Sequence, residues 1–168
     1  EVKFDSAVSA PYQLQGITVE QDATNLLRFD FYSDGAVTRI FSASFVNGKA
    51  TKRISQTITD GVPLYLRVTR QGDQWTQSYS YDGANWLVAG SYTHSLTVTS
   101  VGLFAGNAGS PPPAHTALVD YFIVDGLPPG TGGGDTTAPV ISSAPAACAF
   151  STDMLPEYCA PIGQIGMQ

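Results

Sequence analysis

The acidic residues are the first candidates for chemistry, because hydrolysis of a glycosidic bond needs two carboxyl groups across one cleft, about 5–5.5 Å apart in retaining enzymes. The chain has three glutamates, and none lies near another in sequence: Glu1, Glu20 and Glu157. Four aspartates stand beside turn-forming glycines and are expected to cap the backbone: Asp34, Asp60, Asp73 and Asp82. The sequence therefore predicts no catalytic carboxylate pair.

Serine-based catalysis is also not indicated. The chain lacks the Gly-x-Ser-x-Gly motif of a nucleophile elbow. Its two histidines, His94 and His115, lie in polar, loop-like segments and are expected to be solvated. We predict no catalytic residue, and hence a protein that is not an enzyme.

Aromatic and planar polar side chains are better placed to bind sugars, because aromatic rings pack against the C–H faces of carbohydrates. Arg28 and Tyr32 share one side of a strand-like segment, and Arg39 can reach the same side from the next segment. Trp75 and Tyr79 share one side of a third segment. These five residues are the predicted carbohydrate site. Core packing of the aromatic residues, or cross-strand pairing of arginine and aspartate side chains on the sheet face, stays open as the alternative. For Trp75, core packing and ligand contact are weighed about equally.

Metal-binding and disulfide candidates are few. Asp5 and Asp120 could contribute to a structural calcium site, but no Asp-x-Asp-x-Asp loop is present. No metal site and no cofactor are predicted, with structural calcium as the remaining alternative. Cys148 and Cys159 are close in sequence and are predicted to form a disulfide in a secreted chain, with free thiols as the alternative.

The segments that must position these residues are strands. Apolar and polar residues alternate in 64–71 and 73–81 about Gly72, which is typical of a β-hairpin. Similar patterns predict strands at about residues 1–5, 13–20, 25–33, 36–46, 49–59, 63–71, 73–81, 85–92, 97–106 and 115–125. No segment has a sustained helical period. The predicted fold is an all-β, two-sheet antiparallel β-sandwich.

Composition narrows the class of protein. The 168 residues carry a net charge of −6, only 13% are charged, and glycine and proline number 17 and 11. Few lysines and no basic patch argue against nucleic acid as a partner, and no apolar run is long enough to span a membrane. The chain begins at Glu1 without a start methionine or signal peptide, so we expect a mature, processed or excised chain.

Three ordered motifs resemble one family. LYLRVTRQGDQWTQSYSYDGANW (64–86), VGLFAGN (101–107) and DYFIV (120–124) resemble the concanavalin A-like, or laminin G-like, jelly-roll modules appended to secreted bacterial glycoside hydrolases. The resemblance covers roughly residues 1–126 and implies a jelly roll, a secreted location and a core position for Trp86. A strand pair that precedes this part in the family is absent here, which would expose sheet edges and part of the core.

The domain boundaries follow from a change in composition. Residues 1–126 are assigned to the sandwich and residues 127–136 to a Gly/Pro-rich linker. Residues 137–168 are an unassigned tail or a fragment of a following domain, although residues 139–142 look strand-like.

Two functions are compatible with these features. The first is a non-catalytic carbohydrate-binding or adhesion module of a secreted multidomain protein, whose partner is a polysaccharide or glycan. The alternative is a structural subunit of an extracellular assembly such as a filament. In that case the C-terminal segment would donate a strand to a neighbouring domain or to another copy of the chain.

Overall fold

We describe the computed structural model of the chain for residues 1–125 and for the backbone of residues 140–143. These residues form eleven strands: β1 (Val2–Phe4), β2 (Leu14–Asp22), β3 (Asn25–Ser33), β4 (Thr38–Val46), β5 (Lys49–Ile58), β6 (Leu64–Gln71), β7 (Gln74–Ser80), β8 (Leu87–Thr93), β9 (Ser100–Gly106), β10 (His115–Phe122) and β11 (Val140–Ser143). The described part of the chain contains no helix that could cross a membrane.

The strands form two antiparallel sheets. One has six strands in the order β11-β10-β1-β6-β7-β8, and the other has five in the order β5-β4-β3-β2-β9. The predicted all-β, two-sheet sandwich is confirmed, and each of the ten predicted strands within residues 1–125 overlaps an observed one.

Glycines with positive φ make the tight hairpin turns. Asn47 and Gly48 join β4 to β5, and both have positive φ, at 52° and 75°. This pairing of left-handed residues matches the right-handed twist of the flanking strands. Gly72 joins β6 to β7 with φ of 59°. Local turn chemistry therefore fixes the hairpin registers, and with them which side chains face the core.

The main core lies between the two sheets. The central strand β3 directs Leu27, Phe29 and Phe31 inward, and each is 0% exposed. Phe31 meets Phe4 of the opposite sheet edge-to-face, with ring centroids 6.4 Å apart. Gln77 crosses between the sheets, where its side-chain amide donates to the Phe41 carbonyl at 3.0 Å. The alternation predicted for β3 is confirmed, and it leaves the intervening side chains on the outer face.

The segment 140–143 belongs to the six-stranded sheet. β11 pairs antiparallel with β10, so that His115 lies opposite Ser143 and Leu118 lies opposite Val140. A strand here agrees with the strand-like pattern of residues 139–142, although the sequence assigned that region to a tail. The predicted linker (127–136) and disulfide (Cys148 and Cys159) lie outside the described residues.

Candidate functional site

The predicted site residues Arg28 and Tyr32 lie on the outer face of the five-stranded sheet. The Arg28 Nε atom donates to Asp30 Oδ2 at 2.7 Å, and both side chains are 0% exposed. The Arg28 guanidinium also lies 5.0 Å from the centre of the Phe41 ring. Tyr32 is 4% exposed and meets Phe41 edge-to-face at 5.6 Å. These groups are packed inside the molecule, as the core alternative required, and the ion pair joins two residues of the same strand.

Arg39 is the more accessible member of this group. It is paired across the strands with Tyr32, and its Nε atom donates to Asp34 Oδ2 at 2.9 Å. The Arg39 hydrogen bond, together with the amides of Val37 and Ala36, lowers the pKa of Asp34 to about 2. Asp34 therefore caps its turn as predicted and holds Arg39 against the sheet.

Trp75 and Tyr79 lie on β7 of the other sheet and point toward the main core. Trp75 is 3% exposed, its ring lies 6.2 Å from that of Phe29, and its indole N–H donates to the His94 carbonyl at 2.8 Å. Tyr79 is half-buried against the same core. The structure thus divides the predicted site between two sheets and does not bring its five members together.

A different set of aromatic side chains lies on the outer face of the six-stranded sheet. Tyr121, Lys3 and Tyr65 are cross-strand partners on β10, β1 and β6, so all three point to the same side. The Tyr65 ring lies 6.4 Å from both the Tyr121 ring and the Trp86 ring. The Arg67 guanidinium stacks 3.6 Å from the centre of the Trp86 ring. We call Tyr65, Arg67, Trp86 and Tyr121 the aromatic platform; all four are half-buried.

Charged groups frame this platform. The Glu1 carboxylate accepts from the Tyr121 hydroxyl at 2.6 Å and from Arg67 Nη2 at 2.6 Å. Burial alone would raise the pKa of Glu1, but the Tyr121 and Arg67 hydrogen bonds outweigh it and lower that pKa. Burial and the bond to Glu1 raise the pKa of Tyr121 to about 12. At neutral pH the platform therefore holds a carboxylate, a guanidinium and a neutral phenol in fixed positions.

The turn that follows β7 places Trp86 on the platform. The Asp82 carboxylate accepts from the amides of Ala84 and Asn85 at 2.8 and 2.7 Å. Gly83 has φ of 74°, and its carbonyl accepts from the Trp86 indole N–H at 3.1 Å. The predicted Asp82-Gly83 turn is confirmed. The core position implied for Trp86 is wrong, because this turn holds the indole against Tyr65 on the outer face.

The platform was not found from the sequence, although a signal was present. Tyr65 and Arg67 occupy the polar positions of the alternating strand that carries Leu64 and Leu66. Tyr121 has the same relation to β10, but its proximity to Tyr65 depends on β1 pairing between β10 and β6. Contacts of this kind join residues far apart in sequence, and a local pattern does not specify them.

A cavity of about 570 Å³ lies beside the platform, at one end of the sandwich. Its lining is largely apolar and includes Ile17, Val19, Val68, Trp75 and Val101. Arg67 of the platform and Glu1 beside it also line the cavity, so the two features adjoin. Trp75 therefore contacts this cavity while packing in the core.

The candidate calcium residues are held by a lysine. Lys3 Nζ donates to Asp120 Oδ2 at 2.7 Å and lies 3.3 Å from Asp5 Oδ1. Within residues 1–125 no group of three or more His, Cys, Asp or Glu side chains is arranged to hold a metal ion. The prediction that both histidines are solvated is wrong for His115, which is 6% exposed, and burial lowers its pKa to about 4.

Solved structures share this fold. A single-site mutant of the GH43 protein BlXynB from Bacillus licheniformis matches 65% of this chain, with a TM-score of 0.56 and 25% sequence identity. A second crystal structure of BlXynB matches 64% of the chain, with a TM-score of 0.56 and 24% identity. A protein of unknown function from Saccharomyces cerevisiae also matches, with a TM-score of 0.50 and 21% identity. That match covers 62% of this chain and 56% of the yeast protein.

The BlXynB matches cover 24% and 23% of that protein, so this chain spans about a quarter of its length. No protein-family model and no curated protein matches the chain. The structural neighbours thus include GH43 proteins, and this chain shares a β-sandwich fold with part of one of them.

Proposed function

We propose that this chain is a non-catalytic carbohydrate-binding module of a secreted multidomain protein, and that the aromatic platform is its binding surface. The observation that carries the proposal is the half-buried group of Tyr65, Trp86 and Tyr121 on an outer sheet face, with Arg67 among them and Glu1 at the edge. Rings offer apolar faces to sugar C–H groups, while the charged side chains offer hydrogen bonds to hydroxyl groups.

The rigidity of the platform supports binding. Tyr65, Arg67 and Tyr121 project from paired strands, and Trp86 is held by its bond to the Gly83 carbonyl. A surface that is already ordered loses little conformational entropy when a ligand binds. A sugar can therefore be bound without rearrangement of the sheet.

The arrangement of the carboxylates also favours binding over catalysis. Asp30 is paired with Arg28, Asp34 with Arg39, and Glu1 with Arg67. A glycosidase needs one carboxyl group with a raised pKa as its acid, whereas Asp34 and Glu1 both have lowered values. The similarity to about a quarter of a GH43 protein supports a module carried beside other domains.

Affinity electrophoresis against plant, algal and microbial polysaccharides tests this function. We expect at least one polysaccharide to retard the protein. Trp86→Ala and Tyr121→Ala should each weaken that interaction by about 1–3 kcal/mol, by analogy with aromatic stacking in other complexes. Val88→Ala is a matched control, since Val88 is 66% exposed on the same sheet but outside the platform. Unretarded migration in every polysaccharide would remove the proposal.

A second candidate function is a structural subunit of an extracellular assembly. The position of β11 favours it, because this strand pairs with β10 at an edge of the six-stranded sheet. The same register could form between β11 of one copy and β10 of another, giving a dimer or an open filament. Light scattering after size exclusion tests this alternative. Oligomers that dissociate on Ile141→Pro would support it, and a strictly monomeric chain would rule it out.

A further inference from the structure

Two cations lie among the rings of the aromatic platform. Arg67 is a member of it, and Lys3 lies between its two cross-strand partners, Tyr65 and Tyr121. Lysine and arginine side chains form strong, charge-assisted hydrogen bonds with carboxylates and similar anions. Whether the platform takes an acidic or a neutral glycan therefore depends on whether these two cations are available to a ligand.

Arg67 is engaged by Glu1. The Arg67 Nε atom donates to Glu1 Oε2 at 2.8 Å, and its Nη2 atom lies 2.6 Å from the same oxygen. The guanidinium also lies on the Trp86 ring, 3.6 Å from the ring centre. A sugar carboxylate that bonded to the remaining Arg67 donors would lie close to the Glu1 carboxylate, and like charges at such a separation repel.

Lys3 is engaged by two aspartates. Its Nζ atom donates to Asp120 Oδ2 at 2.7 Å and lies 3.3 Å from Asp5 Oδ1. The Asp120 and Asp5 side chains are 50% and 48% exposed, whereas the Lys3 side chain is 20% exposed. This part of the surface therefore presents more carboxylate than ammonium to solvent.

A β-bulge in β10 sets one of these carboxylates beside the platform. The register of β1 and β10 shifts by one residue, which leaves Asp120 as the extra residue. Bulges re-aim side chains in this way. Val119 and Phe122, on either side of the bulge, pack on the main core. Asp120 and Tyr121 bond instead to side chains of the outer face, so the carboxylate and the ring share that face.

The charge of this surface favours a neutral ligand. Three carboxylates, of Glu1, Asp5 and Asp120, surround the two cations, and the whole chain has a net charge of −6. Carboxylate oxygens accept hydrogen bonds, and sugar hydroxyl groups donate them. A sugar carboxylate or sulfate adds acceptors and negative charge instead, and like charges brought together in an interface suppress binding.

We propose that the aromatic platform selects neutral polysaccharides and excludes those that carry carboxylate or sulfate groups. The rings take the C–H faces of the sugars, and the carboxylates accept from their hydroxyl groups. Arg67 and Lys3 hold those carboxylates in place and do not serve as anchors for an anionic sugar. This inference rests on the proposed function and names the class of glycan that the same surface binds.

A panel of neutral and acidic polysaccharides separates this selection from the proposed function. Affinity electrophoresis uses galactomannan, mixed-linkage β-glucan and pullulan as neutral probes, and polygalacturonate and carrageenan as acidic probes. We expect stronger retardation by a neutral probe than by either acidic one. Retardation by an acidic probe at least as strong as by any neutral one would overturn the selection and leave carbohydrate binding standing. Unretarded migration with every probe would remove the proposed function and this inference with it.

A matched pair of ligands removes differences in sugar sequence. The neutral polysaccharide that binds is oxidised at its primary hydroxyl groups to carboxylates, which keeps the backbone and adds charge. We expect at least about tenfold weaker binding of the oxidised form at low ionic strength. High salt should recover part of this loss, because it screens exposed charges. Equal affinity for the two forms, or a loss that salt does not change, would overturn the proposal.

A charge variant locates the selection on the platform. Asp120→Asn removes the charge from the shorter of the two Lys3 ion pairs. Asp73→Asn is the matched control, because Asp73 is 47% exposed and pairs with Arg70, which lies beside Trp75 on the inner side of the sheet. We expect Asp120→Asn to reduce the preference for the neutral form several-fold and Asp73→Asn to leave it unchanged. A preference that Asp120→Asn does not reduce, or that Asp73→Asn reduces equally, overturns the proposal.

Discussion

The outer faces of the two sheets contain the same chemical groups in different surroundings. On the five-stranded sheet, Arg28 bonds to Asp30 and lies 5.0 Å from the Phe41 ring, with both charged side chains 0% exposed. On the six-stranded sheet, Arg67 bonds to Glu1 and lies 3.6 Å from the Trp86 ring, with side chains 39% and 22% exposed. Burial, and not residue type, separates the structural cluster from the proposed binding surface.

The physical reason is the cost of desolvation. A buried ion pair has lost its hydration and is stable only while both partners remain, so it rigidly fixes one arrangement. A half-exposed pair keeps water nearby and contributes little to stability, but its unused hydrogen-bonding capacity is available to a ligand. The two faces therefore respond differently to equivalent substitutions.

Removal of one charge from each pair should give the largest contrast. We expect Asp30→Asn to destabilise the fold by about 3–5 kcal/mol, because it removes the carboxylate that accepts a hydrogen bond from the buried Arg28 guanidinium. Glu1→Gln should cost about 0–1 kcal/mol. Urea unfolding midpoints measure both. As a control, Arg28→Met combined with Asp30→Leu should recover much of the loss. Equal costs for the two single variants would abolish the distinction between the faces.

Truncation of one tyrosine on each face should sharpen the contrast. Tyr32→Ala is expected to cost about 3 kcal/mol, since it opens a cavity beside the buried Phe41 ring. Tyr121→Ala should cost about 1 kcal/mol, because it removes a half-exposed ring and one hydrogen bond. Thermal unfolding compares them. A small change in melting temperature for Tyr32→Ala would contradict its assignment to a buried cluster.

A pair of glycine substitutions isolates the support of the platform. Gly83→Ala adds strain at positive φ and places a Cβ atom 2.9 Å from the Tyr65 ring. Gly72→Ala adds strain at φ of 59°, with no atom within 4 Å of the new Cβ. We expect about 1–3 kcal/mol for Gly83→Ala and the lower end of that range for Gly72→Ala. Only Gly83→Ala should also weaken polysaccharide binding. Equal effects of the two variants on binding would show that Tyr65 is not part of the binding surface.

Acid titration should reveal the smallest differences. The pKa of Asp34 is lowered to about 2, and hydrogen bonds from Asn85 and Ala84 hold the pKa of Asp82 well below its usual range. A carboxyl group whose pKa is lowered by folding stabilises the protein at pH values above its unfolded pKa, which is 3.8 here. That stabilisation is lost as the pH falls through the pKa of the folded state. Asp34→Asn and Asp82→Asn should each make the free energy of unfolding depend less steeply on pH in the acid range. Only Asp82→Asn should weaken polysaccharide binding at neutral pH. An unchanged pH dependence of unfolding in the two variants would contradict the lowered pKa values of Asp34 and Asp82.

Local patterns were sufficient to predict most of the sandwich. The alternation in β3 placed Arg28 and Tyr32 on one side of the strand, as observed, and the opposite side carries Phe29 and Phe31 in the core. The Asp82-Gly83 turn was also predictable, because glycine tolerates the positive φ that the turn requires. Alternation gives the side of a sheet and not its degree of burial, so it did not show that Arg28 and Tyr32 are buried or that Trp75 and Tyr79 lie on the other sheet.

The sequence by itself thus determined the strands, their turns and the two faces of each strand, since these depend on neighbours within a few residues. The tertiary structure decided which face is open. It placed Trp75 in the core, buried Arg28 with Asp30, and aligned Tyr65 with Tyr121 through β1. These outcomes depend on pairing between strands distant in the chain and on the packing of the two sheets against each other, which no local pattern encodes.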